Sequence, residues 1–163
     1  MLGEYPKMIV YHGTTLEIYK MIKSERVIKS ADSVNSPYSC IGDRKTTDGY
    51  VYVTSIIKGV NGAIDYASRN FRQRMQNSGR IKEMNNSPVE IVVIRLEIDD
   101  RFLEKDMDDE FVDTSYRFKG NLYLTNETAV GFRFPNYQKC CDFYDNLTAE
   151  KIADFKWKKI LSE

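Results

Sequence analysis

The single histidine of the chain, His12, lies in the sequence YHGTT, which covers Tyr11–Thr15. Imidazole is the side chain best suited to hydrogen bonding and proton transfer near neutral pH. The apolar run Met8–Tyr11 predicts a strand, which puts the imidazole at a strand end. Gly13 has no side chain and so leaves the backbone open to a ligand. A lone histidine often has a purely structural role, so a functional one requires partners elsewhere in the chain.

Two tyrosines and one glutamate are the candidate partners of this histidine. Tyr52 lies in a run of strand-forming residues, and Tyr66 lies at helical spacing between alanines. Glu127 follows an asparagine and precedes another apolar run. Both tyrosines also fit as core residues, and Glu127 fits as an exposed strand residue. Glu90 and Glu97, on the strongest predicted strand, are competing carboxylates.

Taken in order, these motifs resemble the histidine–tyrosine–glutamate branch of the ADP-ribosyltransferase superfamily, which is typified by the poly(ADP-ribose) polymerases. That branch has His-Gly-Ser/Thr after its first strand, tyrosines on the next strand and helix, and a late strand-borne glutamate in an Asn-Glu setting. The resemblance spans about Ile9 to Phe134. It implies an enzyme that splits NAD at the nicotinamide–ribose bond and transfers ADP-ribose to a protein or nucleic-acid acceptor. NAD is then a substrate, and no metal is required.

The resemblance also implies a role for each residue. Breaking the nicotinamide bond develops a ribose cation like that of glycoside hydrolysis. A carboxylate beside the ribose stabilises that cation, by about 3–4 kcal/mol if it matches an oxyanion-hole donor. Two aromatic faces suit the planar nicotinamide ring. The residues predicted for catalysis are Glu127, His12 and Tyr52, and those predicted for NAD binding are His12, Gly13, Thr14, Tyr52, Thr54, Ser55 and Tyr66.

The sequence departs from the family pattern at several positions. The polymerases have a serine three residues before the second tyrosine, and this chain has Ala63 there. We therefore expect Thr54 or Ser55 to supply the missing hydroxyl. The spacing from Tyr52 to Tyr66 is long, which predicts an insertion in the intervening loop. Thr125 replaces the upstream acid or amide of many arginine-modifying toxins, which disfavours arginine as the acceptor.

Three other functions remain open at this level. An NAD-dependent RNA 2′-phosphotransferase of the same fold carries a similar Tyr-His-Gly-Thr segment, but it has a histidine where this chain has Tyr52. A non-catalytic module that binds NAD or ADP-ribose is the second. Hydrolysis of NAD, with water as the acceptor, is the third. A small stand-alone transferase also matches, by size and fold alone, a toxin or a phage-conflict factor.

The elements that must position these residues predict a single α+β domain over residues 1–163. We expect an ADP-ribosyltransferase-like fold with split mixed or antiparallel sheets and flanking helices. Thr14 and Glu17 form a predicted capping box for the first helix. The predicted helices run from Thr14 to about Glu25, from after Gly59 and Gly62 to about Asn77, and from Leu147 to Leu161. The predicted strands are Val27–Ile28, Tyr50–Thr54, Val89–Ile98 and one or two strands within Leu122–Phe134. Loops are predicted over Lys29–Asp48 and Asp99–Gly120.

Composition excludes several classes of protein. The 24 basic and 24 acidic residues give zero net charge, so the whole molecule is not a polyanion binder. A basic stretch, Arg69–Lys82, and an acidic stretch, Glu97–Asp113, are predicted to be solvated faces or, for the basic one, a site near a phosphate-bearing ligand. No G-x-G or phosphate-loop motif is present. Three cysteines without metal spacing, and no apolar run of membrane length, predict a cytoplasmic protein.

Overall fold

The computed structural model describes residues 6–30, 49–106 and 115–161, and they form an α+β fold with a mainly antiparallel sheet. The strands are β1 (Lys7–Thr15), β2 (Val27–Ile28), β3 (Tyr50–Ser55), β4 (Val89–Asp99), β5 (Leu103–Lys105), β6 (Ser115–Lys119), β7 (Leu122–Tyr123), β8 (Thr128–Phe134) and β9 (Lys158–Lys159). The helices are α1 (Leu16–Glu25), α2 (Ile56–Asn77), α3 (Tyr137–Asp145) and α4 (Ala149–Ala153), with 3-10 turns at Ile81–Asn86 and Asp100–Phe102.

Seven strands form the main sheet in the order β5-β6-β3-β1-β4-β8-β9, and β2 pairs with β7 in a separate small sheet. Every strand pair within the described ranges is antiparallel, so the mixed pairing that we allowed for is not found there. β1 lies in the middle of the main sheet and pairs with β4 along its whole length. The first strand of the chain therefore joins the two halves of the main sheet, with β3 on one side and β4 on the other.

Successive residues of β1 point to opposite faces of the sheet, and a hydrophobic cluster covers each face. Val10 belongs to the first cluster, with α1 residues such as Ile18 and with alternate residues of β4. Tyr11 packs at the edge of the second cluster, which contains α2 and the C-terminal aromatic residues. The catalytic residues predicted on β1 and β3 therefore lie between two well-packed layers.

Several predicted elements are confirmed. Strands at Val27–Ile28, Tyr50–Ser55 and Val89–Asp99 agree with the sequence patterns, and so does the short first helix. The region Leu122–Phe134 contains two strands, one of the two arrangements that we expected. In each case a strand-forming or helix-forming run ends at a turn signal, so the local pattern and the tertiary structure agree.

Four predictions at element level are wrong. The cap of α1 is Thr15, whose hydroxyl accepts a hydrogen bond from the backbone N–H of Ile18, and not Thr14. α2 begins at Ile56, so the expected insertion loop is the first helical turn. The predicted loop at 115–120 is mostly strand β6. The region predicted as a helix over 147–161 contains only the short helix α4, and the short strand β9 follows it. Most of the predicted loop at Lys29–Asp48 and part of the acidic stretch lie outside the described residues.

Among the described residues, no helix combines the length and the apolar character that crossing a membrane requires.

Candidate functional site

A cleft opens between β1 and β3, immediately beyond the point where the two strands are paired. Only two residue pairs join these strands: Val10 pairs with Ser55, and Tyr11 pairs with Thr54. The volume of the cleft is about 40 Å³. The cleft is therefore narrow, and a ring of nicotinamide size enters only if lining side chains move apart. The lining residues are Tyr11, His12, Gly13, Thr14, Ile18, Lys29, Val51, Tyr52, Val53, Thr54, Ala63, Tyr66 and Asn70.

His12 bridges the gap between the two strands with its side chain. Its Nδ1 lies 2.9 Å from the backbone carbonyl oxygen of Tyr52. A carbonyl only accepts hydrogen bonds, so Nδ1 carries the proton that it donates there. In the neutral imidazole Nε2 is then an acceptor, and it can receive a hydrogen bond from a hydroxyl group of a ligand in the cleft.

The surroundings of His12 keep its imidazole uncharged. Burial lowers the pKa of His12 from its ordinary value of 6.5, and the hydrogen bond to the Tyr52 carbonyl partly opposes that shift. Burial removes water from the charged imidazolium, and this cost is the larger effect. At neutral pH the cleft therefore presents an uncharged acceptor nitrogen and not a cation.

Gly13 allows α2 to lie directly against β1. A Cβ atom at this position would lie 1.7 Å from the carbonyl oxygen of Ala63 in α2. The need for glycine here is therefore explained by helix–strand packing, whereas the sequence led us to explain it by the approach of a ligand. Because this packing brings α2 to the cleft, Gly13 shapes the site.

The two predicted aromatic residues both line the cleft, together with Thr14. Tyr66 reaches it from α2 and Tyr52 from β3, so the two rings come from different elements. Thr14 is buried on β1 and follows the glycine. The structure thus brings His12, Tyr52 and Tyr66 to one cleft, as the sequence predicts.

Thr54 and Ser55 differ in their relation to the cleft. Thr54 lines it, but its hydroxyl is 2.5 Å from the carbonyl oxygen of Gly59 in the first turn of α2. Ser55 is the N-cap residue of α2 and is not among the lining residues. The Thr54 hydroxyl thus bonds to the helix start, Ser55 lies outside the described lining, and the role of either hydroxyl in NAD binding stays a prediction.

Glu127 does not reach the cleft. It precedes β8, which lies on the far side of β4 from β1, and it is absent from the lining residues. Its carboxylate accepts hydrogen bonds from the backbone N–H and the hydroxyl of Thr125, at 2.6 and 3.3 Å, and its carbonyl accepts one from Ile160 N–H. The expectation that Glu127 meets His12 in one cleft is therefore not met, and its catalytic role stays a prediction.

Two lining residues, Lys29 and Asn70, were not identified from the sequence. Lys29 follows the small strand β2, and its ammonium group forms an ion pair with Glu25 at 2.8 Å. Asn70 lies one helical turn after Tyr66 on α2, a spacing that could have been used to find it. Nothing in the local sequence connects Lys29 with His12, because only the folded sheet brings them together.

Among the described residues of the basic and acidic stretches, several side chains form ion pairs with neighbouring side chains. In the basic stretch Arg69 pairs with Asp65 at 2.9 Å, and Arg80 pairs with Glu83 at 2.7 Å. In the acidic stretch Glu104 pairs with Arg117 at 3.0 Å. These pairs favour the interpretation of solvated faces over that of a phosphate site on the basic stretch.

Within the described ranges, no cluster of three or more histidine, cysteine, aspartate or glutamate residues could hold a metal ion. No protein-family model, curated protein or solved structure matches this chain.

Proposed function

We propose that this α+β domain has an ADP-ribosyltransferase-like fold, binds NAD in the cleft between β1 and β3, and transfers its ADP-ribose to a protein or nucleic acid. The observation that carries the proposal is the meeting of His12, Tyr52 and Tyr66 around one cleft. These residues lie 40 and 54 positions apart from the histidine in the chain, and the fold brings them together. The order and kinds of residue match the family that the sequence resembles.

In this proposal His12 binds the ribose next to nicotinamide. Its Nε2 accepts a hydrogen bond from a ribose hydroxyl because Nδ1 is already bonded to Tyr52. The rings of Tyr52 and Tyr66 form the walls on either side of the nicotinamide ring. When the bond between nicotinamide and ribose breaks, its electron pair leaves with nicotinamide. A nucleophile of the acceptor then bonds to the ribose carbon and loses its proton.

The developing ribose cation also requires a carboxylate nearby. The cleft lining in the described residues contains no aspartate or glutamate. Four acids, Asp108, Asp109, Glu110 and Asp113, belong to residues 107–114, which connect β5 to β6 and lie outside the described residues. We therefore keep Glu127 as a candidate and treat this segment as the second place in which the acid is to be sought.

The lack of a described carboxylate in the cleft favours a second candidate function. A module that binds NAD or ADP-ribose without cleaving it needs the same hydrogen-bonding and stacking groups but no acid. The two candidates differ in turnover and not in binding. The test must therefore measure both.

The test incubates the protein with NAD labelled in its adenylate phosphate, together with mixed protein, DNA and RNA. Transfer predicts label in one class of macromolecule and release of free nicotinamide. The variant Tyr66→Ala removes one wall of the slot and is expected to lower labelling by at least tenfold. Tyr123→Ala is the matched control, because Tyr123 is exposed and is not among the lining residues of the cleft.

Acid-to-amide variants then locate the carboxylate. If Glu127→Gln labels as well as the wild type, Glu127 is not the catalytic acid, and Glu110→Gln and Asp113→Asn extend the search. Binding of NAD without release of nicotinamide by the wild type would exclude transfer and favour the binding module. Free ADP-ribose as the only labelled product would indicate hydrolysis. RNA with an internal 2′-phosphate, tested with NAD, checks the phosphotransferase alternative.

A further inference from the structure

A row of paired residues crosses the main sheet from the cleft to its C-terminal edge. Tyr11, which lines the cleft, pairs with Arg95 on β4. Arg95 pairs in turn with Thr128 on β8, and Thr128 pairs with Lys159 on β9. Residues that are directly opposite in a sheet point to the same face. Arg95 and Lys159 therefore lie on the face of the sheet that carries the Tyr11 side chain.

Trp157 lies against this row, beside the cleft. The centroid of its ring is 5.9 Å from that of Tyr11, and the guanidinium carbon of Arg95 is 4.8 Å from the tryptophan ring. The ring of Phe155, at 6.4 Å, ties the same segment to the second hydrophobic cluster. Trp157 and Arg95 are nevertheless only partly buried. An aromatic ring and a guanidinium plane thus meet at the surface next to a residue of the cleft.

Three cations surround the indole ring without acidic partners. Arg95 contacts it, Lys156 comes directly before it in the chain, and Lys159 follows two residues later. Both lysines are exposed, and none of the three cations forms an ion pair with a described residue. The acids nearest to them in the chain, Glu97 and Asp154, are exposed and do not pair with them. This surface is therefore locally positive, although the whole chain has zero net charge.

The chemistry of this surface fits single-stranded nucleic acid. We call the surface formed by Arg95, Lys156, Trp157 and Lys159 the basic–aromatic patch. Unstacked bases lie flat on aromatic rings and on guanidinium planes, and neighbouring cations bind the phosphates. An acidic peptide would use the cations but not the ring, and the bases of a duplex are already stacked on one another.

We propose that the basic–aromatic patch binds single-stranded nucleic acid and presents it to the cleft as the acceptor of ADP-ribose. The acceptor role rests on the proposed function, whereas binding of the strand does not. In the transfer step a nucleophilic nitrogen or oxygen of the strand bonds to the ribose carbon. Nicotinamide leaves with the electron pair of the broken bond, and the proton of the nucleophile passes to solvent.

The first experiment measures the binding of labelled single strands of DNA and of RNA by fluorescence anisotropy. The strands are about 12 nucleotides long, within the usual range of a single-strand site. The logarithm of the affinity is expected to fall with the logarithm of the salt concentration, with a slope of about −0.7 for each phosphate contacted. Lys156→Gln/Lys159→Gln removes two cations, so we expect a slope shallower by about 1.4 and binding about tenfold weaker near 0.1 M salt.

Lys20→Gln/Lys23→Gln is the matched control for this double variant. Both lysines are exposed on α1, which packs on the opposite face of the sheet. The control is expected to bind single strands as the wild type does. Equal weakening in the two double variants would indicate a general attraction between charges and would overturn the inference. A wild type that binds neither DNA nor RNA strands would overturn it as well.

A second measurement uses the wild-type protein, so that it does not depend on the folding of a variant. Trp157 is the only tryptophan of the chain, and its emission therefore reports on the patch alone. Bases that stack on the indole ring are expected to quench this emission with the midpoint found by anisotropy. A duplex of the same sequence is expected to bind more weakly and to quench less. Strand binding without a change in emission would place the strand elsewhere and overturn the inference.

The acceptor role is tested with labelled NAD and equal amounts of single-stranded nucleic acid and protein. We expect label in the nucleic acid, and about tenfold less of it with Lys156→Gln/Lys159→Gln when the strand is far from saturation, at unchanged NAD affinity. Label in protein alone would overturn the inference and leave the proposed function standing. A loss of NAD affinity in the double variant would assign the patch to NAD and overturn the inference too. Strand binding without consumption of NAD would overturn the proposed function, and the acceptor role with it.

Discussion

The hydrogen bond from His12 to Tyr52 serves two purposes at once. It links β1 and β3 where their backbone pairing stops, and it leaves Nε2 as the acceptor nitrogen of the neutral imidazole. The structural and the functional interpretations of a lone histidine therefore do not compete here. The same bond that stabilises the strands also prepares Nε2 to accept a hydrogen bond.

The lowered pKa of His12 predicts how stability depends on pH. Below pH 6.5, its ordinary value, the unfolded chain binds a proton at His12 that the folded chain does not yet bind. The free energy of unfolding contributed by His12 is therefore complete above about pH 6.5 and decreases as the pH falls toward the folded-state pKa. The slope is about 1.4 kcal/mol per pH unit within that window.

The measurement compares urea unfolding of the wild type and His12→Asn between about pH 5 and about pH 8. The asparagine amide can still donate a hydrogen bond to the Tyr52 carbonyl, but it does not titrate. Because the chain has no other histidine, the difference between the two profiles below about pH 6.5 is due to this residue. Parallel profiles over the whole range would show that His12 has the same pKa in the folded and unfolded chains.

At the scale of single residues, kinds of side chain could be predicted but their neighbours could not. His12, Tyr52 and Tyr66 were found because each lies in a recognisable local pattern. Lys29 was missed because its place in the cleft depends on the pairing of β2 with β7, two short strands far apart in sequence. Glu127 fitted a local pattern as well, but β4 separates its strand from β1. Strand order is a property of the whole sheet and is not visible in a motif.

At the scale of elements, the contact between β1 and α2 controls the shape of the cleft. Gly13→Ala places a methyl group where the carbonyl of Ala63 lies, and backbone on both sides must move to admit it. We expect the variant to lose about 1–3 kcal/mol of unfolding free energy, the usual cost of overpacking. We also expect weaker NAD binding, because α2 carries Tyr66 and Asn70 into the cleft.

Gly131→Ala is the matched control for this prediction. Gly131 is also a strand glycine, on β8, but an added Cβ would have 3.9 Å to its nearest neighbour. We expect a change in unfolding free energy of less than about 1 kcal/mol and no change in NAD affinity. Thermal or urea unfolding of both variants is the measurement. A loss at Gly13→Ala no larger than at Gly131→Ala would mean that α2 does not press on β1.

The errors at element level have tertiary causes. Gly59 and Gly62 in the first turns of α2 read as loop residues, because glycine disfavours helices. In the fold they make room for Thr54, because an added Cβ would lie 3.0 Å from its backbone at Gly59 and 3.1 Å from its side chain at Gly62. Likewise the polar sequence of β6 reads as loop, but its neighbours β3 and β5 supply hydrogen bonds on both edges. Close packing and pairing outweigh local propensity at these positions.

At the scale of the whole molecule, the described lining of the cleft comes from the first half of the chain, and strands of the second half complete the sheet that holds it. β1 and α1 come from the first 25 residues, and β4, which holds β1 in place, pairs in turn with β8 and through it with β9 near the C-terminus. A ligand in the cleft contacts β1, β3 and α2 together. Binding there is therefore coupled to the cooperative unfolding of the sheet, and global stability can report it.

This coupling gives a prediction for heat unfolding. A ligand that binds the folded chain alone adds about 2.7 kcal/mol at a concentration of 100 times its Kd. For a chain of this size each kcal/mol raises Tm by about 2–4 °C, so saturating ADP-ribose is expected to raise Tm by about 5–11 °C. With NAD as the ligand, Tyr66→Ala is expected to show a smaller rise than the wild type at the same concentration, and Tyr123→Ala the full one. A Tm that ADP-ribose and NAD both leave unchanged at millimolar concentration would mean that the cleft binds neither ligand, since any site formed only in the folded sheet must stabilise it.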